Sequence, residues 1–216
     1  MISTVSHVYD SIGYILPLIY EDDIREFNEK LNELRDPSVI YVSDLVVCTH
    51  KWHLRRHYPE LTFRFEPQLV IGKIIHRGLA ELLKNRNFEI EFSLNREVYV
   101  NSRKYVLKGR VDAYNRDEKV IVEFKYSRLF REKPLEHHVM QLQLYMNMLD
   151  ADKGVLVYLT PNAMFEFSYS RLDYNIENHV EELIKDNYHP RWNWECRLCI
   201  FRKICSFSVS CSLHSR

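Results

Sequence analysis

The stretch Tyr105–Ser127, YVLKGRVDAYNRDEKVIVEFKYS, decides the fold. Two runs rich in Val, Ile, Tyr and Phe, Tyr105–Tyr114 and Lys119–Ser127, flank the turn-forming Asn115-Arg116-Asp117-Glu118, which is the pattern of a β-hairpin. With the turn centred between Arg116 and Asp117, Asp112 faces Ile121 and Glu123 lies two residues further along. The two carboxylates then form a diagonal pair about 7 to 8 Å apart at the backbone. Lys125 follows on the same face. Two carboxylates and a lysine on strands of this apolarity are costly to bury without a partner, and a divalent cation supplies one. The set suits phosphodiester hydrolysis, in which a metal polarises the phosphate and generates hydroxide from water while a lysine orients that water or stabilises developing charge. Oxygen ligands favour magnesium or manganese. A solvated sheet face bearing three ordinary polar residues is the plain alternative.

Outward from the hairpin, the period-two pattern begins at Phe88, with Phe88, Ile90, Phe92 and Leu94, then Val98 and Val100. Pro134 opens a helix through Leu149, on which Gln141 and Tyr145 are four apart and share one face. Gly154–Thr160 and Ala163–Ser170 read as two more strands around Pro161-Asn162, and residues 174–187 as a last helix. Upstream, Ile24, Phe27, Leu31 and Leu34 mark a helix from Asp22 to Arg35, stopped by Asp36-Pro37. Ser43 caps a second helix through Cys48, Trp52 and Arg56, ended by Pro59. Pro67 begins a third, with a broad apolar face of Val70, Ile71, Ile74, Ile75, Leu79, Leu82 and Leu83. His76 lies off the centre of that face between Gly72 and Ala80, and an imidazole added to two carboxylates tilts the preference toward manganese. Helix, strands, helix, strands, helix without repeats indicates an α/β fold with a mixed sheet flanked by helices.

The 216 residues suit one catalytic-size domain with a small appendage, and 46% hydrophobic content is ample for a core. Five Gly and seven Pro exclude low-complexity and collagen-like chains. Thirty basic and thirty acidic residues balance, so any nucleic-acid site is a local patch. Glu21–Asp36 carries seven acids against three bases. Residues 187–216 carry five bases against Glu195 alone, and Lys125, Arg128, Arg131 and Lys133 form a second basic stretch. Such runs are often only solvated faces. The N-terminus has no basic region before its short apolar stretch, which Pro17 breaks, so neither a signal peptide nor a spanning helix is expected and the chain reads as cytoplasmic.

Five cysteines in a reducing compartment point to metal or redox roles. Cys196, Cys199 and Cys205 have the spacing Cys-x-x-Cys-x5-Cys, and Cys48 can complete a set of four. Three local thiolates with one remote partner suit an iron-sulfur cluster, structural zinc more often uses two local pairs, and ordinary buried thiols are the third reading. Cys211 is left over. Trp192 and Trp194 beside Arg191 and Arg197 fit either base stacking or packing around the cysteines.

Taken together, Cys48 in Val-Cys-Thr-His-Lys-Trp, His76 in Gly-Lys-Ile-Ile-His-Arg-Gly, Asp112 in Gly-Arg-Val-Asp, Glu123-Phe-Lys125, Gln141 to Tyr145 in Gln-Leu-Gln-Leu-Tyr and the Cys196, Cys199, Cys205 tail stand in an order that resembles the CRISPR-associated RecB-like exonucleases, the Cas-four family. The resemblance runs from about Val42 to Cys205. It implies a PD-(D/E)xK, restriction-endonuclease-like core of the RecB type over residues 42–187, preceded by a helical region, 1–41, and followed by an iron-sulfur tail, 188–216, that Cys48 completes. It implies that His76, Asp112 and Glu123 hold manganese or magnesium, that Lys125 assists the attacking water, that Gln141 and Tyr145 support the site, and that the four cysteines hold a cluster, 4Fe-4S in preference to 2Fe-2S. The implied activity is single-stranded DNA exonucleolysis, mainly 5′ to 3′, trimming DNA before CRISPR integrase proteins insert it as spacers. A RecB-like repair nuclease and a non-catalytic DNA-binding scaffold are the alternatives. Lys51, Arg55, Arg56, Arg128 and Arg131 are candidate DNA contacts. The helical region before Val42 is longer than the family needs, which suits a partner surface.

Overall fold

The computed structural model describes residues 13–128 and 133–208. Arg131 and Cys211 lie outside them. In chain order the elements are α1 (Ile15–Arg35), β1 (Val39–Tyr41), α2 (Val42–Leu45), α3 (Thr49–His57), a 3-10 turn (Pro59–Thr62), α4 (Pro67–Lys84), β2 (Glu89–Val100) and β3 (Arg103–Asn115). There follow β4 (Val120–Tyr126), α5 (Glu136–Leu149), β5 (Lys153–Leu159), β6 (Met164–Ser170), α6 (Ile176–Ile184) and the single turn α7 (Glu195–Leu198). Among the described residues no helix is long and apolar enough to cross a membrane.

The sheet is mixed. β2 runs antiparallel along nearly all of β3, while β1 is parallel to β3 and pairs only with Val106, Leu107 and Lys108. β4 is antiparallel to β3 at Ala113–Asn115, β5 is parallel to β4, and β6 closes the far edge antiparallel to β5. Because β2 already occupies one edge of β3, β1 and β4 must share the other. That edge has no backbone partner strand between Lys108 and Ala113, and Asp112 sits in the gap.

One face of the sheet buries Leu107, Val111, Ile121 and Leu156 against Leu142, Leu144 and Met146 of α5. The other buries Ala113, Val122, Phe124 and Val155 against Leu79 and Leu83 of α4. Burial of this apolar surface from both sides is what excludes water from β4 and β5 and stabilises the mixed sheet.

Several elements depart from the sequence expectations. α1 begins at Ile15, because proline is tolerated in a helix's first turn, where its missing N–H has no partner to lose. The helix expected through Cys48 and Trp52 is two helices, broken before Cys48. The N–H of Cys48 donates to Glu195 and that of Thr49 to the Tyr188 carbonyl, so the tail takes the donors a continuous helix would use. β1 has too few residues to show a period. The apolar face of α4 is wider than the sheet covers, leaving Ile71, Ile74 and Leu82 exposed.

The hairpin register also differs, pairing Ala113 with Val122 and Tyr114 with Ile121. The loop is Arg116–Lys119, closed by the Asn115 side chain accepting from the Glu118 N–H at 3.0 Å and by a left-handed Lys119 with φ of 51°. Asp112 and Glu123 are therefore directly opposite each other, one step beyond the last ladder pair, rather than diagonal.

Candidate active site

Where β3 and β4 part, side chains replace the ladder. The Asp112 N–H donates to Glu123 Oε1 at 3.3 Å, and the Phe124 N–H donates to Asp112 Oδ2 at 2.7 Å. The inward set of β3, Tyr105, Leu107 and Val111, is followed by Tyr114, so the alternation changes phase at Asp112. On the opposite strand Glu91 has φ of 49°, a conformation that costs a non-glycine residue on the order of 1 kcal/mol and clusters at functional sites. The irregularity turns Asp112 toward α4, where His76 Nδ1 lies 3.2 Å from Asp112 Oδ1.

From Glu123 a chain of contacts runs to α5. Lys125 Nζ donates to Glu123 Oε2 at 2.9 Å and to Gln141 Oε1 at 3.0 Å, and Gln141 Nε2 donates to the Tyr145 hydroxyl at 3.2 Å. The spacing of Gln141 and Tyr145 along one face of α5 makes this possible. Gly109 is also required, since a β-carbon there would stand 2.5 Å from Cε1 of Tyr145. The sequence-predicted residues Asp112, Glu123, Lys125, Gln141, Tyr145 and His76 are thus gathered on one continuous path.

Electrostatics matches the geometry. Burial pushes the Glu123 carboxyl up to about 7, opposed by Lys125 and reinforced by the neighbouring Asp112. Burial also acts to raise Asp112, but His76 and Lys125 outweigh it and hold that carboxyl below the usual aspartate range. Desolvation disfavours the Lys125 ammonium, yet Glu123 and Asp112 keep it protonated. Two carboxylates facing each other where the strands part, one raised by burial, suit a hard divalent cation. Among the described residues no three His, Cys, Asp or Glu side chains close on one point at single-ion range. The carboxylates are turned instead toward His76, Lys125 and each other.

The site opens into a cleft of about 490 Å³ whose lining includes His76, Asp112, Lys125 and Arg128. Sequence reasoning missed Glu26, Lys73, Arg77, Glu91, Arg110 and His138, which also line it. The signal available for Lys73 and Arg77 was their position three before and one after His76. Lys51, Arg55 and Arg56 are elsewhere. Lys51 pairs with Glu195 at 3.2 Å, Arg55 grips Asp44 through both oxygens at 2.6 and 2.8 Å, and Arg56 lies over the Trp52 ring.

Cys48, Cys196, Cys199 and Cys205 line a second, separate pocket. Burial pushes the Cys48 thiol up to about 11 and raises Cys205, which also feels Cys196 and Cys199. A single zinc gathers its sulfurs within about 2.3 Å of one point, whereas a cluster holds them further apart around its own irons. Among the described residues, these four thiols share the lining of one pocket without three of them closing on a single point. The Trp192 indole donates to the Val46 carbonyl at 2.8 Å and Trp194 packs beside His137, so both aromatics serve the tail's packing.

The PD-(D/E)XK nuclease superfamily model matches residues 83–206. The CRISPR-associated exonuclease Cas4 of Saccharolobus solfataricus is 38% identical over 189 residues, covering 84% of this chain and 94% of that protein. The chain belongs to the Cas4 family. The crystal structure of SSO0001 superposes with a TM-score of 0.84 at 36% identity, covering 92% of this chain and 99% of the other. As a Cas4-family protein on a PD-(D/E)XK core, it is a metal-dependent nuclease.

Proposed function

We propose that this chain is an exonuclease that degrades single-stranded DNA, mainly 5′ to 3′, and trims DNA ends before CRISPR integrase proteins insert them as spacers. The observation that carries the chemistry is Asp112 and Glu123 facing each other where β3 and β4 part, with Lys125 held between Glu123 and Gln141. Likeness to the CRISPR-associated exonuclease Cas4 supports exonuclease action, while polarity and the place in adaptation rest on the family resemblance of the sequence motifs alone.

His76, Asp112 and Glu123 are the residues that would hold manganese or magnesium. Such a cation supplies Lewis-acid polarisation of the scissile phosphate and acidifies water. Lys125 brings a fixed positive charge to the same place, orienting the attacking water and countering charge that develops on the phosphate oxygens. Gln141 accepts from Lys125 and donates to Tyr145, which fixes the ammonium's direction. Cys48, Cys196, Cys199 and Cys205 would hold an iron-sulfur cluster, 4Fe-4S in preference to 2Fe-2S, tying the tail to α3.

The test is digestion of 5′- or 3′-labelled single-stranded DNA by anaerobically purified protein with manganese, magnesium or chelator, beside Asp112→Ala. Metal-dependent loss of label, 5′ label first, that vanishes in the variant is the expected result. A folded, cluster-loaded sample that cleaves under no metal would sink the proposal.

A further inference from the structure

On α4, Lys73, His76 and Arg77 fall at positions i, i+3 and i+4, so the two cations flank the histidine on one helical face. Both cations line the cleft that holds Asp112 and Lys125. Its floor is open beside them, since a β-carbon added to Gly72 would meet nothing within 4 Å.

The acids paired with these cations come from α1. Lys73 Nζ donates to Asp23 Oδ1 at 2.5 Å and to Glu26 Oε2 at 2.9 Å, and Arg77 Nη2 donates to Glu26 Oε1 at 3.4 Å. Glu26 therefore bridges the two cations within the cleft itself. α1 buries no residue of its own. Its N-terminal half is fastened by these ion pairs and by Tyr20 edge-on to Phe63 and Phe65. The pairs made by Glu26, 33% exposed, with Lys73 at 42% and Arg77 at 63%, hold weakly and yield to a competing anion, whereas Asp23, 10% exposed, is the firmer partner of Lys73. Lys73 and Arg77 lie about 6 Å apart along the helix, the scale of one nucleotide step in an extended strand.

Resting on the nuclease reading above, we propose that Lys73 and Arg77 bind phosphates of the DNA strand beside the reacting phosphodiester, and that Glu26, with Asp23, occupies them in place of phosphate until the strand displaces it. The acidic α1 is then a removable cover on the substrate track. Lys73 and Arg77 are positioning residues in this account, acting on the strand rather than on the bond that breaks.

The test measures binding of a fluorescein-labelled single-stranded oligonucleotide to the full chain in chelator across a salt series, then cleavage in manganese. Lys73→Gln is expected to weaken binding about tenfold and to lower the slope of log affinity against log salt by about 0.7. It raises KM for cleavage with kcat retained. Glu26→Gln is expected to tighten binding about threefold, and this gain disappears in Lys73→Gln/Arg77→Gln/Glu26→Gln. Glu97→Gln, which removes one negative charge beside Lys104 on the β2–β3 hairpin, reports the bulk charge effect. Tightening by Glu26→Gln no greater than by Glu97→Gln would overturn the masking role. Unchanged affinity and salt slope in Lys73→Gln and Arg77→Gln would overturn the phosphate role. If Lys73→Gln fails to fold, the more exposed Arg77→Gln carries the same measurement. Wild-type protein that neither binds nor cleaves DNA would fail the nuclease reading, whereas normal cleavage with neutral variants fails this inference alone.

Discussion

The backbone N–H of Cys48 donates to Oε1 of Glu195 at 2.8 Å across 147 positions of sequence. The same oxygen accepts from Lys51, and Oε2 accepts from the N–H groups of Arg191 and Trp192, both at 3.0 Å. Glu195 is 1% exposed, so its carboxylate meets these donors away from solvent, while the Lys51 ammonium keeps partial access to water. Glu195→Ala should destabilise the protein by about 3 kcal/mol, read by chemical denaturation of the anaerobic protein. In cluster-free protein the Cys48 thiol should also react faster with a maleimide in native buffer.

Gly109 faces the Tyr145 ring too closely to accept a side chain. Gly109→Ala should push the ring outward, at about 1 to 3 kcal/mol of stability, and lower kcat by breaking the path through Gln141 to Lys125. Tyr145→Phe keeps the ring and removes only a hydrogen bond, so its stability loss should be about 1 kcal/mol. Equal effects of the two changes in a denaturant titration and steady-state assay would contradict the steric account.

As a proposed metal ligand, Glu123 would couple metal binding to pH. Its carboxyl is pushed up to about 7 by burial, above the unfolded value of 4.5. In chelator its favourable contribution to stability is complete below about pH 4.5 and is lost as pH rises through about 7, because the folded state then holds an ionised buried carboxylate. With manganese the trend reverses, since the ligand must be deprotonated to bind. The manganese-induced rise in Tm should therefore be larger at pH 8 than at pH 5.5. Thermal melts at both pH values check this, and an equal rise at the two would count against Glu123 as a ligand.

Arg55 distinguishes a structural cation from a DNA contact. Its bidentate grip on the buried Asp44, whose carboxylate also accepts from the Tyr41 N–H, belongs to the fold. Arg55→Ala should cost about 3 kcal/mol while leaving single-stranded DNA affinity unchanged within twofold. A tenfold loss of affinity at unchanged stability would restore Arg55 to the DNA track.

The residues of the site were readable in sequence because each sits in a short local pattern. Glu123 and Lys125 alternate on one strand, Gln141 and Tyr145 share a helical turn, and Cys196 to Cys205 lie within ten positions. Their mutual geometry was less readable. The facing of Asp112 and Glu123 depends on a left-handed Lys119 in the loop, which a count of turn-forming residues does not fix. The break before Cys48 depends on Glu195 and Tyr188, far away in sequence. The cations Lys73 and Arg77 read as ordinary surface charges until α1 is folded against them.

The long span between Cys48 and its partner in the tail also sets an order on biogenesis. At about 5 to 20 residues per second the ribosome needs roughly 7 to 30 s to travel from one to the other. Throughout that interval the early thiol has neither its carboxylate clasp nor its three companions. A chain cut short before Glu195 therefore lacks three of the four cysteines that line the pocket and the carboxylate that accepts from Cys48.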